Sequence, residues 1–412
     1  MNFRRFLLRI LLFPVLPILG TFGDTYETIT SSHPLNKTYY NGMFLKGQQS
    51  FAVFDQFAVR QDNIDIPLHA GDNAVFTRVA PFGLSRTALT QGTNPNATKM
   101  KGNTVTATIQ EYGDYAKFSS RYWLTSMDTK LGEAALEQGK AAAATIDSLI
   151  WEQVAENGIG LLADADSTNS GEVSCVASGS STTTIKVSSL PSGISTSDTG
   201  VIVFLTGENA GLARAFTYSA SNTVTVSAVQ GTVVNGDLAR VVCTQALTTG
   251  DTVSCELIRK AVALLESNGT PTFDDGYYHA VYTALQKYDF QRDSEWVNLQ
   301  HYAAPKDLYR NLDGEIYGVR FHNDSTPYRH TAGTIGTYVA GGAVYVLSIF
   351  GKGAFGNVRL KGVNRKFYMV PPQANTENAL AMYGTMGWKD ICAPTVLDGR
   401  RIVNIFNCPT TQ

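Results

Sequence analysis

The sequence predicts an α+β chain in which a long β-hairpin precedes one long helix, followed by a small inserted β-domain. Two β-rich runs, 74–79 and 104–109, flank a polar stretch and so predict the hairpin. Apolar residues recur at helical spacing over 126–157, which predicts a helix on the order of 45 Å long at about 1.5 Å per residue. Gly132 and Gly139 lie inside this helix, so we expect a close crossing or a local bend there.

The first 65 residues predict an extended arm with short strands. Arg4 and Arg5 precede an apolar run, 6–20, in a layout that imitates a secretory signal. Pro14 and Pro17 would break a helix in this run, and it is shorter than the roughly 20 residues of a membrane span. We therefore expect an apolar arm that packs on its own or on a neighbouring subunit, with a signal or anchor as the alternative.

The segment 165–247 is rich in Ser, Thr, Gly and Val, which is typical of a small β-domain. Turn signals such as Asn235-Gly236 separate short strand candidates at 183–187, 201–205, 213–218, 223–226 and 238–242. We expect this insertion to project outward, where nothing must pack against it. A second helix over 252–267, a mixed α/β stretch through 321 and a strand-rich tail over 343–407 complete the prediction.

The composition favours a protein that buries much of its surface against neighbours. Hydrophobic residues make up 43% of the chain and charged residues 17%, against about 25% charge in a typical soluble domain. The net charge of −2 gives no overall basic field. This argues against a sequence-reading nucleic-acid binder and against a polybasic membrane protein.

No pattern of reactive residues predicts a catalytic, metal or cofactor site. The five cysteines are far apart, without a CxxC pair, and predict reduced thiols; a bridge from Cys175 to Cys243 is conceivable only in a secreted protein. The six histidines form no recognised motif, and HExxH, GxSxG and the Walker phosphate loop are absent. We therefore predict no enzyme activity.

Two local patterns resemble functional motifs. Residues 351–356 fit GxGxxG, but the next residues alternate like a strand, whereas a dinucleotide site needs a helix there. We interpret them as a turn between strands. Four N-x-S/T triplets, which we attribute to chance, begin at Asn36, Asn96, Asn268 and Asn323.

Several segments spread along the chain form one recognisable series. They are TATIQEYG at 106–113, DTKLGEAALEQGKAAAATID at 128–147, GEIYGVRF at 314–321 and FGKGAFG at 350–356, together with 71–76, 81–82, 89–92 and 386–389. In this order they resemble the major capsid family of the schitovirus podophages, which have the Hong Kong 97-type capsid fold. The hydrophobic N-terminus, the 165–247 insertion and the hairpin tip depart from the family pattern.

The resemblance implies an α+β Hong Kong 97-type fold with named parts. They are an N-terminal arm (1–65), the E-loop hairpin (66–112), the P-domain with its spine helix (113–164), the inserted β-domain (165–247), a second P-domain helix with the A-domain (248–342), and a strand-rich return through both domains (343–412).

The implied function is a shell subunit with no cofactor and no catalytic residue. Copies would form the hexamers and pentamers of an icosahedral head that encloses double-stranded DNA. The partners would be a portal and possible decoration or scaffolding proteins. The protein would be assembled in the host cytoplasm and would be part of the virion. We expect non-specific contact with DNA and no association with a membrane.

The candidate intersubunit contacts are Phe76, Arg78, Phe82, Lys101, Arg4 and Arg5. The alternative from another class is a secreted or surface-anchored β-rich adhesin, which requires oxidised cysteines.

Overall fold

The computed structural model describes most of the chain from residue 34 onward. The described residues are 34–49, 53–59, 66–67, 71–80, scattered positions between 82 and 100, 101–125, 128–163, 170–243, 247, 250–296, 314–324, 329–330, 344–361, 363, 365–374 and 376–410. The described residues form two compact units. Those of the first unit fall within 1–50, 113–142 and 365–389, and those of the second fall within 51–112, 143–364 and 390–412.

The first unit packs helices against a sheet. Its helices are α1 (Pro34–Gln49), α2 (Ser120–Thr125) and the first part of α3 (Asp128–Glu156). Strand β17 (Lys366–Val370) pairs antiparallel with the 385–389 part of β18 (Tyr383–Val396), and β3 (Gln110–Ser119) also pairs with β18. The core between helices and sheet consists of Phe118, Leu131, Ala135 and Met386.

Helix α1 corrects the prediction of an extended, strand-containing arm for this part of the chain. The helix is polar and only weakly amphipathic, so its sequence shows no helical period. It is held by packing: Phe44 is buried and stacks on Phe367 with ring centroids 5.1 Å apart. Tertiary contact therefore supplies what the sequence pattern lacks.

Helices α1 and α3 cross through two glycines. A Cβ at Gly139 would overlap the carbonyl oxygen of Phe44, and a Cβ at Gly47 would overlap the carbonyl oxygen of Leu136. The backbones can approach this closely only because neither position carries a side chain. Of the two expectations at Gly139, a close crossing or a local bend, the structure shows the close crossing.

The second unit contains the hairpin and the largest sheet. Strands β1 (Asn73–Val79) and β2 (Gly102–Thr108) pair antiparallel, with Phe76 opposite Val105, so the predicted hairpin is confirmed. The large sheet has the strand order β12-β13-β11-β15-β19-β4, and β14 also pairs with β15. Its strands are β4 (Ile159–Leu162), β11 (Tyr278–Thr283), β12 (Glu315–Ile316), β13 (Val319–Asp324), β14 (Arg329–His330), β15 (Val344–Phe350) and β19 (Ile402–Asn407).

The core of the second unit lies between this sheet and two helices. The last part of α3 contributes Ile146, Ile150, Trp151 and Val154, and α4 (Cys255–Ser267) contributes its apolar face. Ser254 caps α4 by accepting a hydrogen bond from the Leu257 amide. A short helix, α5 (Ala284–Gln291), follows β11. Both longer helices lie where the sequence predicts them.

The inserted segment folds into a closed six-stranded barrel in the order β10-β5-β6-β9-β8-β7. Its strands are β5 (Ser170–Val176), β6 (Thr184–Val187), β7 (Thr199–Phe204), β8 (Ala213–Ala220), β9 (Thr223–Val226) and β10 (Leu238–Val242). Ile185, Phe204 and Phe216 fill its interior. Five strands were predicted and β5 was missed. Closure leaves no exposed strand edge.

The GxGxxG-like segment is a turn between β15 and β16 (Phe355–Arg359), as predicted. Gly353 has a φ of +75°, which favours glycine. No helix begins after the turn, so this segment lacks the geometry of a dinucleotide site.

Candidate assembly surfaces

The hairpin has one face that packs on its own unit. Phe76 and Ala74 alternate with outward residues along β1 and contact a small apolar cluster of Ile66, Ala107, Val358 and Ala393. Phe76 is half-buried there. This face of the hairpin therefore packs against its own subunit, and Phe76 contributes to that packing.

The opposite face of the hairpin is open and partly apolar. Val75 is 59% exposed and Val79 is 50% exposed, and their partners across the ladder are Thr106 and Gly102. Phe82, Leu89 and Met100, towards the tip, are also exposed. Large apolar groups clustered on one extended element indicate a surface that another molecule covers.

Two predicted contact residues at the outer end of the β1–β2 ladder have partners in the same chain. The Arg78 guanidinium Nη1 donates to the carbonyl oxygen of Ala210 at 2.9 Å and lies 3.7 Å from Asp398 Oδ1. Lys101 Nζ lies 3.8 Å from the Glu208 carboxylate. Burial lowers the pKa of Arg78 from its ordinary value, while the neighbouring Asp398 opposes that shift.

The first unit also exposes large apolar side chains. Leu124 and Leu380 are 82% and 81% exposed, and Met382 is also exposed. The loop before β18 is ordered by Asn378, which donates to the Tyr383 carbonyl at 2.7 Å and accepts from the Met382 amide at 2.7 Å. Fixed backbone thus keeps large apolar side chains in solvent, which is unfavourable for an isolated subunit.

The predicted contact residues occupy different environments. Phe82 is exposed, whereas Phe76, Arg78 and Lys101 contact their own chain. Arg4 and Arg5 lie outside the described residues. Val75, Val79 and Leu380 were not among the predicted contact residues, although the alternation along β1 places the two valines on one face.

A histidine pair is the most reactive-looking cluster in the described part of the second unit. His279 Nδ1 and His322 Nε2 lie 2.8 Å apart, and His279 Nε2 lies 3.3 Å from Asp275 Oδ2. Burial lowers the pKa of His279, against the opposing charge of Asp275. Phe57 and Phe273 pack on the His279 ring, so the cluster forms part of the packing between a loop and the sheet.

The cysteines are buried thiols, and none is in a disulfide bond. Burial raises the pKa of Cys175 and of Cys255 to about 12 and that of Cys408 to about 11. These three are therefore protonated and poorly nucleophilic at neutral pH.

Among the described residues, no three His, Cys, Asp or Glu side chains are grouped so that they could hold a metal ion. Within the same residues, no helix is long and apolar enough to span a bilayer.

Solved structures of phage capsids share the architecture. The capsid asymmetric unit of cyanophage Pam1 is 13% identical, covers 87% of this chain and 92% of its own, and superposes with a TM-score of 0.50. The chain has the fold of a phage capsid subunit. The capsid of Ralstonia phage GP4 is 14% identical and covers 87% of this chain and 91% of its own, with a TM-score of 0.49. No protein-family model and no curated protein matches the sequence.

The β1–β2 hairpin and helix α3 lie in the segments for which the E-loop and the spine helix were predicted, and the hairpin is called the E-loop below. The predicted α+β Hong Kong 97-type fold is confirmed.

Proposed function

We propose that copies of this chain assemble into the icosahedral head shell of a tailed phage and enclose its double-stranded DNA. The observation that carries the proposal is the match to a capsid subunit over 87% of this chain and 92% of the other. The match extends over most of both chains, so it is not confined to a single element.

The exposed apolar surfaces support self-assembly. The open face of the E-loop and the first unit, at Leu124 and Leu380, each present large apolar groups that the described part of the chain leaves exposed. Identical copies that repeat these contacts around symmetry axes form hexamers and pentamers and close a shell. Burial of such groups stabilises a contact by about 25 cal/mol for each Å² removed from water.

We propose that the six predicted contact residues act in three ways. Phe82, together with Val75 and Val79, contacts a neighbouring copy. Phe76, Arg78 and Lys101 contribute indirectly, because they hold the E-loop on its own subunit. Arg4 and Arg5 contact DNA or a neighbour. The portal, decoration or scaffolding proteins, and membership of the schitovirus capsid family, are further parts of the proposal.

The same chain is proposed to be a structural protein and not an enzyme. The protonated thiols and the packed histidine pair provide no activated nucleophile among the described residues. The absence of disulfides among the five cysteines favours the shell over the secreted adhesin, which requires them oxidised.

The full-length chain, expressed and purified, tests the proposal by sedimentation velocity and negative-stain microscopy. We expect closed particles or capsomer rings. Leu380→Asp should lower the particle yield at least tenfold without changing the unfolding curve, because the side chain is exposed in the subunit and would be covered in the shell. A compact monomer at all concentrations would overturn the proposal.

A further inference from the structure

The inserted barrel contacts the E-loop through two of its loops. Residues 206–212 join β7 to β8, and residues 229–233 precede β10; together we call them the hairpin seat. We propose that the barrel's function is to hold the outer end of the β1–β2 ladder in this seat, which fixes the direction in which the tip of the E-loop leaves its subunit. This contact differs from the expectation that the insertion projects outward, where nothing must pack against it.

The two loops of the seat are joined to each other by hydrogen bonds that do not involve the hairpin. Asn209 is 2% exposed; its side-chain amide donates to the Gly231 carbonyl at 2.9 Å and accepts from the Gly231 amide at 2.8 Å. The Glu208 carboxylate also accepts from the Thr232 amide at 3.1 Å. The seat is thus a built surface whose polar groups are already oriented.

Strand β2 binds the seat along the edge that β1 leaves unpaired. Gln230 Oε1 accepts from the Thr104 amide at 2.9 Å and from the Thr104 hydroxyl at 2.7 Å. The Asn103 side chain donates to the Glu208 carbonyl at 3.3 Å. A barrel side chain therefore satisfies a strand amide of the two-stranded hairpin, which alone would be only marginally stable.

Strand β1 is tied to the same seat by Arg78. Its guanidinium lies over Gly211, where a Cβ would overlap both Arg78 Nη1 and Asp398 Oδ1. Gly211 has a φ of +79°, and its carbonyl accepts from the Gly399 amide at 3.0 Å. The seat thus joins the hairpin, the barrel and the turn before β19.

The seat holds the β1–β2 ladder at the end nearer the tip of the E-loop, where Arg78 lies opposite Asn103. Thr104 lies on the same face as Val75 and Val79, which stay exposed, so the barrel contacts this face at Thr104 and leaves the two valines open. A hairpin that is held at this point presents the rest of its open face in one direction. The seat therefore determines which surface of a neighbouring copy the E-loop can reach.

Gln230→Ala in the full-length chain tests the seat, with hydrogen exchange of the peptide that contains Thr104 as the readout in unassembled subunits. Loss of the acceptor should raise the exchange rate about five- to tenfold, in line with the net value of one hydrogen bond. Thr225→Ala is the matched control, because it also removes an exposed hydrogen-bonding side chain from the barrel, away from the seat. Exchange that is unchanged, or that rises equally in the control, overturns the proposal.

A second experiment tests whether the seat sets the direction of the E-loop, and this experiment rests on the proposed shell function. Where the wild-type chain forms particles, Gln230→Ala should broaden their size distribution at least twofold relative to Thr225→Ala. A loosened hairpin with uniform particles would show that the seat does not set direction. Failure of the wild type to assemble would refute the shell function, while the exchange experiment would still decide whether the seat exists.

Discussion

Asp147 is the residue whose burial has the largest consequence for pH dependence. It lies on the buried face of α3, and its carboxylate accepts from the amides of Val53, Phe54 and Asp55. Burial raises the pKa of Asp147 to about 7, and nearby Asp324 adds to the rise, against the three amide donors. The helix therefore holds the 53–55 turn through a group that titrates near neutrality.

Asp147→Asn should remove a pH dependence of stability. The folded-state pKa lies above the ordinary value of 3.8, so the folded state binds more protons than the unfolded state between these values. Stability from this group is complete below about pH 4 and is lost as the pH rises through about 7. We expect the wild-type free energy of unfolding to fall by about 2 to 4 kcal/mol from pH 4 to pH 8 relative to the variant.

Denaturant unfolding of unassembled subunits at several pH values measures this difference. Parallel pH profiles for the wild type and Asp147→Asn would contradict the account. The sequence did contain a signal, since an acidic residue lies within the apolar stripe that includes Ala143, Ile146 and Ile150. It could not show the three amides, because they belong to a distant segment.

Individual elements were predictable where a local pattern decides their structure. The β1–β2 hairpin and helix α3 follow from alternation and helical spacing, and both lie close to their predicted bounds. Helix α1 was missed because packing of Phe44 and the glycine crossing stabilise it. Closure of the barrel was also unpredictable, since pairing of β10 with β7 joins distant segments.

The close crossing of α1 and α3 predicts an unusual effect of a glycine-to-alanine substitution on stability. Alanine normally stabilises a helix relative to glycine by about 1 kcal/mol. Gly139→Ala should instead destabilise the chain by about 1 to 3 kcal/mol, because its Cβ would overlap the Phe44 carbonyl. Gly42→Ala is the matched control in α1, where a Cβ would meet no atom within 4 Å.

Thermal unfolding of the two alanine variants measures both changes in stability. Gly42→Ala should be neutral or slightly stabilising, by up to about 1 kcal/mol. A stabilised Gly139→Ala variant would show that the helices do not cross as closely as the structure indicates. The comparison separates backbone crowding from helix propensity, since both substitutions are the same.

At the scale of the whole molecule, the fold was recognisable from short segments and their order. The match to the Pam1 capsid subunit has only 13% identity, so packing patterns rather than sequence are shared. The candidate contact surface was less accessible to sequence reasoning. Phe76 and Phe82 look equivalent in sequence, yet one packs on its own unit and the other is exposed.

Accessibility of the E-loop's open face tests the central claim, that this chain covers its exposed extended parts with other copies. Val75→Cys places a reactive thiol on that face, and the five native cysteines are buried and should react slowly. We predict rapid maleimide labelling of dissociated subunits and at least tenfold slower labelling of sedimented particles. Equal labelling in both states, or no particles at any concentration, would contradict the account.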